Sequence, residues 1–212
     1  MVSEGSKKEI ARERMHHFRP AFGDNGRPIP RETWDRQYRE GKWAFLDSLD
    51  EFAHYLIVAG YIRRLFGAPT ILDVGCGYGR LVKELEGFSY KSYLGIDFSA
   101  EAIRQAARLR RPRVRFQVAD LNGWHPTRRF SVIVFCESLN YAIHPLVTLS
   151  NYGLALEKNG AIIVSLYRHR HHARIWANVE KIFRAVDSTV VTNHRGQTWD
   201  VRVLQQTPDE TR

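Results

Sequence analysis

The sequence predicts an α/β fold of the doubly wound kind, and three observations carry that expectation. Ile71, Leu72, Asp73 and Val74 form a short apolar run followed at once by Gly75-Cys76-Gly77-Tyr78-Gly79, after which Leu81 to Leu85 takes up helical spacing. Four further strand-like runs then alternate with helical patterns. Near the end Asn193-His194-Arg195-Gly196 separates two β-rich stretches, a hairpin signal. Strands alternating with helices over 212 residues make one domain with a two-sided core.

Residues 1–47 show no sustained period and read as an N-terminal arm. Within it residues 23–30 are turn or loop, and residues 8–18 read as a short helix or as unstructured chain. Trp34, Tyr38, Trp43 and Phe45 set large rings among charges, which suits covering a pocket or packing the arm onto the domain. Ser48 and Glu51 have the spacing of a capping box. The helix they open has Leu49, Phe52, Ala53, Leu56, Ile57 and Gly60 on its inward face and ends at Gly67. His54 within it reads as exposed or partly packed.

Strand one follows Pro69, and residues 90–97 are strand two. Ser99 caps a helix running to residue 109, and residues 113–119 are strand three. Strand four, 130–136, is almost unbroken apolar, as a central parallel strand should be. A helix over 145–157 turns Leu146, Leu149, Gly153 and Leu156 inward and closes at Asn159-Gly160. Strand five is 161–167, and a helix over 174–186 gathers Ile175, Trp176, Val179, Ile182, Phe183 and Val186 on one side. Residues 188–192 and 198–205 form the hairpin; the domain spans 48–206, with 207–212 a tail.

No apolar run approaches the roughly eighteen residues of a membrane span. The polar N-terminus lacks a signal-peptide core. Cys76 and Cys136, the two cysteines, sit at ends of buried strands, so a reducing, cytoplasmic setting is expected. The net charge of +9 is concentrated in Arg104, Arg108, Arg110, Arg111, Arg113, Arg115, Arg128 and Arg129. That cluster suits a nucleic-acid surface, a phosphorylated acceptor, or a solvated face whose charges complement a helix C-terminus. The last is preferred.

Alternate glycines between a strand and a helix let the chain turn sharply and bring a ligand against bare main chain. Asp97, about twenty residues on, closes the next strand where a carboxylate accepts ribose hydroxyls. A dinucleotide fingerprint needs glycine at position 80, which is Arg80. Asp73 also suits an ammonium group better than a pyrophosphate. A ligand with a ribose at one end and a cationic amino acid at the other fits: S-adenosylmethionine. The runs LDVGCGYGRL, YLGIDFS and VADL together resemble the class I S-adenosylmethionine-dependent methyltransferase family, over residues 45–205.

That resemblance implies a Rossmann-like sheet of seven strands, the last antiparallel, with ligands beyond the strands' C-terminal ends near the switch between strands one and four. It also implies roles: Asp73 for the methionine ammonium, directly or through water; Gly75, Gly77 and Gly79 for backbone access; Asp97 for the ribose. Phe98 lies against the adenine, Asp120 accepts from its exocyclic amine, and Leu121 offers an adjacent amide. The plain alternative for either strand-end carboxylate, Asp97 or Asp120, is capping. Some members close an N-terminal segment over the methionine end, which makes Tyr38 and Trp43 cofactor or acceptor candidates.

Catalysis falls to the loop after strand four, Cys136-Glu137-Ser138-Leu139-Asn140-Tyr141. Similar proteins often carry an acid followed by an aromatic pair there; Glu137 and Tyr141 are kept, while Asn140 stands where a second ring is common. His144 is the nearest imidazole and a candidate base, the alternative being a helix-start residue ahead of Pro145. Residues 167–172 read YRHRHH. His169, His171 and His172 lack the separated cysteine or carboxylate set that fixes metal geometry, so no metal is assigned. With Arg168 and Arg170 they suit an anionic acceptor better. His16-His17 carries no usable signal.

The expected activity is N- or O-methylation of a small-molecule acceptor such as a sugar or secondary metabolite. RNA methylation is the alternative that charge favours, although strand four lacks the N/D-P-P-Y loop that holds a flipped base. A non-catalytic S-adenosylmethionine-binding module is another. An oxidoreductase is disfavoured by the glycine spacing, and nothing bears on oligomeric state.

Overall fold

The computed structural model describes residues 29–169 and 172–206. Residues 8–18, His16-His17, most of 23–30, Arg170, His171 and 207–212 lie outside the described residues. Helix α1 (Arg31–Arg39) leads through a 3-10 turn (Ala44–Asp47) into α2 (Leu49–Leu65). Then come β1 (Thr70–Val74), α3 (Arg80–Glu84), β2 (Ser92–Asp97), α4 (Ala100–Ala106), β3 (Val114–Val118) and β4 (Phe130–Cys136). Helix α5 (Pro145–Gly153), β5 (Leu156–Tyr167), α6 (His172–Val179), β6 (Phe183–Thr192) and β7 (Thr198–Gln206) complete the order.

The seven strands make one sheet, β3-β2-β1-β4-β5-β7-β6, in which β1 to β5 run parallel and β7 lies antiparallel to both neighbours. The chain works outward from β1 to β3, then crosses back to β4, so the order reverses between β1 and β4 where the strand tips part. Alternation along the strands fills two layers. Leu72, Val74, Ile133 and Phe135 pack with Leu149 and Trp176 on one face. Ile71, Val132 and Val134 pack with Tyr55, Ile62 and Leu81 on the other. Strand β4 is apolar throughout because both of its faces are covered.

Several expectations are corrected. The segment read as a loose arm contains α1, whose Asp35 binds the start of α4: it accepts from Ser99 Oγ at 2.6 Å and from the Glu101 amide at 3.1 Å. Helix α2 turns Glu51, His54, Tyr55, Val58, Ala59 and Ile62 inward, while Leu49 is 74% exposed and Phe52 and Leu56 are also exposed. The helix is therefore rotated from the predicted face, of which Ile57 still packs against the core. Burial of Glu51 and His54 is tolerable because they bond each other, Nε2 to Oε2 at 3.0 Å. The capping box does not form: Ser48 stands at the N-cap, but its side chain makes no cap bond, and the Glu51 carboxylate is turned to His54.

Helix α5 ends at Gly153, and β5 starts at Leu156 rather than at residue 161. Leu156 pairs with Phe130 and Ala161 with Val132, so Asn159-Gly160 belongs to a bulge that keeps the ladder to β4, not to a helix end. A Cβ on Gly153 would stand 3.2 Å from the Phe183 ring, so the hairpin passes close beneath the last turn of α5. Helix α6 stops at Val179, and Phe183 and Val186 lie in β6, where Phe183 pairs with Gln206 and Val186 falls at a bulge between Ala185 and Asp187.

Candidate active site

The turn after β1 is fastened to the end of β2: the Gly75 and Cys76 amides both donate to the Ile96 carbonyl, at 2.8 and 2.9 Å. Gly75, Gly77 and Gly79 all take positive φ, 75°, 54° and 83°, which a side chain would strain. A Cβ on Gly75 would also lie 2.4 Å from Ser138 Cβ, and one on Gly77 3.0 Å from the Tyr38 hydroxyl. The Ser138 hydroxyl in turn donates to the Val74 carbonyl. Glycine here admits neighbours as well as a ligand.

Asp97 stands opposite, at the tip of β2. Its carboxylate accepts from the Gly77 amide and the Ser99 amide, each at 2.8 Å. Burial, outweighing those two bonds, raises its pKa to about 6. Asp73 lies deeper, 1% exposed and off the cavity wall. The Tyr93 hydroxyl donates to its Oδ2, its Oδ1 has no partner, and burial pushes its pKa to about 7. A buried polar oxygen of this kind is one that water or a ligand group would satisfy.

A cavity of about 1000 Å³, counting its open mouth, occupies the space beyond the tips of β1, β2, β4 and β5. Its walls include Gly75, Gly77, Asp97, Phe98, Leu121, Glu137 and Tyr141 from the predicted set. Tyr38 and Trp43 also line it, joined by Trp34 and Phe45 in an aromatic box. Trp43 stacks on Tyr38 and on Trp34, each at 5.5 Å, and Trp34 meets Tyr141 edge-on at 5.1 Å. Faces of aromatic rings attract cations in such a desolvated setting. Arg80, which replaces the dinucleotide glycine, is buried: its Nε donates to the Leu46 carbonyl at 3.0 Å and so holds the 3-10 turn beneath the box.

Across the cavity stands Glu137, a non-glycine residue with φ 56°. Its carboxylate accepts from Ser165 Oγ at 2.9 Å and from the Tyr167 amide at 3.0 Å. Burial, reinforced by Glu51, raises its pKa to about 8, well placed for a group that must take up a proton near neutrality. Asn140 also lines the cavity and has a buried Oδ1 without a partner.

Other predicted residues fall elsewhere. Asp120 is exposed and off the wall; its Oδ1 accepts from the Asn122 amide and side chain at 2.9 and 3.0 Å, closing a local turn. His144 is exposed and lines a separate cavity with Trp124, His125 and Asn151, so it does not face Glu137's pocket. Arg168 pairs with Asp200 through two bonds of 3.0 and 2.7 Å, which neutralises the charge expected to greet an anionic acceptor. Three arginines of the cluster bond main-chain carbonyls away from the cavity wall. Arg113 reaches the Tyr90 carbonyl, Arg111 the Val82 carbonyl and Arg129 the Leu156 carbonyl. Among the described residues no group of three or more His, Cys, Asp or Glu side chains is set to hold a metal ion.

Sequence reasoning missed Glu51, Tyr55, Gln197 and Trp199, which also line the cavity, and His54 and Ser165 behind it. Ser165 left one signal, a hydroxyl in the otherwise apolar run AIIVSLY.

The protein family described as "Methyltransferase domain" matches residues 31–206. No curated protein matches the chain in sequence. Among solved structures, the N-methyltransferase NodS from Bradyrhizobium japonicum WM9, in complex with S-adenosyl-L-homocysteine, is similar with a TM-score of 0.70 at 16% identity, covering 84% of this chain and 98% of that one. A SAM-dependent methyltransferase from Thiobacillus denitrificans, also with S-adenosyl-L-homocysteine, gives 0.65 at 17%, covering 84% and 99%. A complex between the Haloferax volcanii Trm112 methyltransferase activator and a putative methyltransferase gives 0.66 at 15%, covering 80% and 96%.

Proposed function

The chain belongs to the methyltransferase-domain family, and from that premise we propose that this S-adenosylmethionine-dependent enzyme methylates a small-molecule acceptor at nitrogen or oxygen. The observation that carries the reading is one cavity with unlike walls: a glycine turn and Asp97 on one side, Glu137 on the other, an aromatic box between them. The residues present fit the cofactor. The bare backbone of Gly75 and Gly77 borders the cavity beside Asp97, a ribose-type acceptor, and a buried oxygen of Asp73 lies unpaired behind them. When bound, S-adenosylmethionine supplies an activated methyl group on a cationic sulfur.

Asp97 holds the ribose hydroxyls, and Phe98 and Leu121 border the base. Asp73 takes the ammonium end through water. Trp34, Tyr38 and Trp43 exclude water and favour positive charge. Glu137 receives the proton that the acceptor sheds, a role His144 does not fill from its separate cavity. Alignment and desolvation then carry most of the acceleration. Residues 29–47 act as a lid, because their rings cover the cavity and Asp35 fastens them to α4.

An amine is the first acceptor to test, since the box suits a cation and Arg168 is already paired. The cytoplasm is the proposed setting, supported by two buried cysteines that remain free thiols. No helix among the described residues is long and apolar enough to cross a membrane. RNA methylation rests on net charge; within the arginine cluster Arg104 pairs with Glu101 and Arg111 with Glu86, which lowers the charge that a nucleic acid would meet there.

The test is incubation of the purified chain with methyl-labelled S-adenosylmethionine and fractionated cell extract, followed by mass spectrometry. Label in compounds of low mass is expected. Label in RNA alone overturns the acceptor class, and S-adenosylhomocysteine binding without any labelled product overturns catalysis.

A further inference from the structure

Behind Glu137 runs a continuous line of hydrogen bonds that no part of the reading above uses. Ser165 Oγ is 2.9 Å from Glu137 Oε1 and 3.2 Å from His54 Nδ1, and His54 Nε2 is 3.0 Å from Glu51 Oε2. Ser165 and His54 are fully buried, whereas Glu137 and Glu51 both border the cavity. The line thus leaves the pocket wall at one carboxylate, passes through the protein and returns at another. Helix α2, β4 and β5 supply its members, and residues 54 and 165 meet across 111 positions of chain.

Proton counting shows what the line can do. Three bonds in series need three protons. The Ser165 hydroxyl and a neutral His54 bring two, so the third must sit on a carboxyl or on a doubly protonated imidazole. Burial disfavours the charged imidazole, and Arg80, facing it from α3, adds to that against the pull of Glu51. Tyr55 and Trp199 pack on the ring at 4.4 and 4.9 Å, and Cys136 lies farther off at 3.8 Å from Nδ1, a weak thiol donor beside the Ser165 hydroxyl. Two arrangements satisfy every bond. In one, Glu137 holds the proton and His54 carries hydrogen on Nε2; in the other, Glu51 holds it and His54 carries hydrogen on Nδ1.

We propose that Glu137, Ser165, His54 and Glu51 form a proton relay that carries the acceptor's proton away from the methyl-transfer position to a second carboxyl on the cavity wall. Each of the three protons moves along its own bond: Glu137 to Ser165, Ser165 to His54 Nδ1, and His54 Nε2 to Glu51. The shift leaves Glu137 as a carboxylate, able to take the one proton that the acceptor's nitrogen or oxygen loses on methylation. Glu51 then gives its proton to water in the cavity, and exchange of the His54 tautomer with reorientation of the Ser165 hydroxyl resets the line, so one proton leaves the relay per methyl group transferred. Glu137 is the catalytic member; Ser165 and His54 act through it as positioning residues. The inference rests on the methyl-transfer reading, deepening it at the same site.

The test is nitrogen-15 NMR of the full chain labelled at histidine and saturated with S-adenosylhomocysteine, with the His54 signals assigned by their loss in His54→Gln. In Glu137→Gln, the Tyr167 amide holds the side-chain oxygen, so the amide NH₂ donates to Ser165 and locks hydrogen on His54 Nε2. In Glu51→Gln, an amide donating to Nε2 locks it on Nδ1. Opposite tautomers in the two variants are the expected result, and the same tautomer in both overturns the relay. The wild-type chain should show shifts averaged between these limits; a single pure tautomer there also overturns it. Calorimetry with S-adenosylhomocysteine runs in parallel: a wild-type chain that fails to bind it defeats the methyl-transfer reading and leaves the tautomer result standing.

Discussion

The two walls of the cavity are built in opposite ways. The β1–β2 wall is made of main chain, held by bonds between residues about twenty positions apart, such as the Gly77 amide to Asp97. The β4–β5 wall is made of side chains gathered from α2, β4, β5 and β7. A main-chain wall is specified by a short string of residue types, because glycine conformation and a strand-end carboxylate suffice to shape it. A side-chain wall is specified only when the whole sheet has closed. One wall therefore suits a shared cofactor, and the other is free to differ with the acceptor.

The strongest way to break this comparison is at Asp97. Asp97→Ala should lower affinity for S-adenosylhomocysteine by about 100-fold or more, since charge-assisted bonds are lost, with the fold kept; calorimetry and circular dichroism check both. Unchanged affinity would mean that the main-chain wall does not bind the cofactor. Glu137→Gln should reverse the pattern, with turnover on the acceptor recovered from labelled extract falling about 100-fold and cofactor affinity little changed.

A smaller effect sharpens the electrostatic side. Glu137 has its pKa raised from 4.5 to about 8, so between those values the native chain binds more protons than the unfolded chain. Stability should then fall as pH rises through that window, and Glu137→Gln should flatten the slope, as read from urea midpoints at several pH values. Trp43→Ala should weaken cofactor or acceptor binding about fivefold, the scale of one ring–cation contact, measured by calorimetry or KM. His144→Ala should change neither turnover nor affinity, and a clear loss in either would return the second cavity to the site.

The same contrast explains what was legible. The sheet, the glycine turn, Asp97 and the β4 loop were readable because each depends on neighbours in sequence. The rotation of α2 was not. Leu49, Phe52 and Leu56 carry the stronger apolar signal, yet the chain buries Glu51 and His54, because these satisfy each other and Ser165. Hydropathy scores residues singly, whereas the cost of burying a polar group depends on its partner. Asp120 bonds Asn122, two residues on, the local capping that the sequence left open beside the adenine role. The boundaries of α5 and α6 failed because strand partners at positions 130 and 206 draw Leu156 and Phe183 into the sheet.

Ser138 touches both walls at once, its hydroxyl on the Val74 carbonyl and its Cβ against the space that Gly75 leaves empty. Positions 75 and 138 are thereby yoked: a methyl group added to the first must be answered by a retreat at the second. The spacing of the β1 and β4 tips is thus set by a rivet between them. Adjustment to acceptors of different girth then falls to the aromatic flap above, which no strand holds.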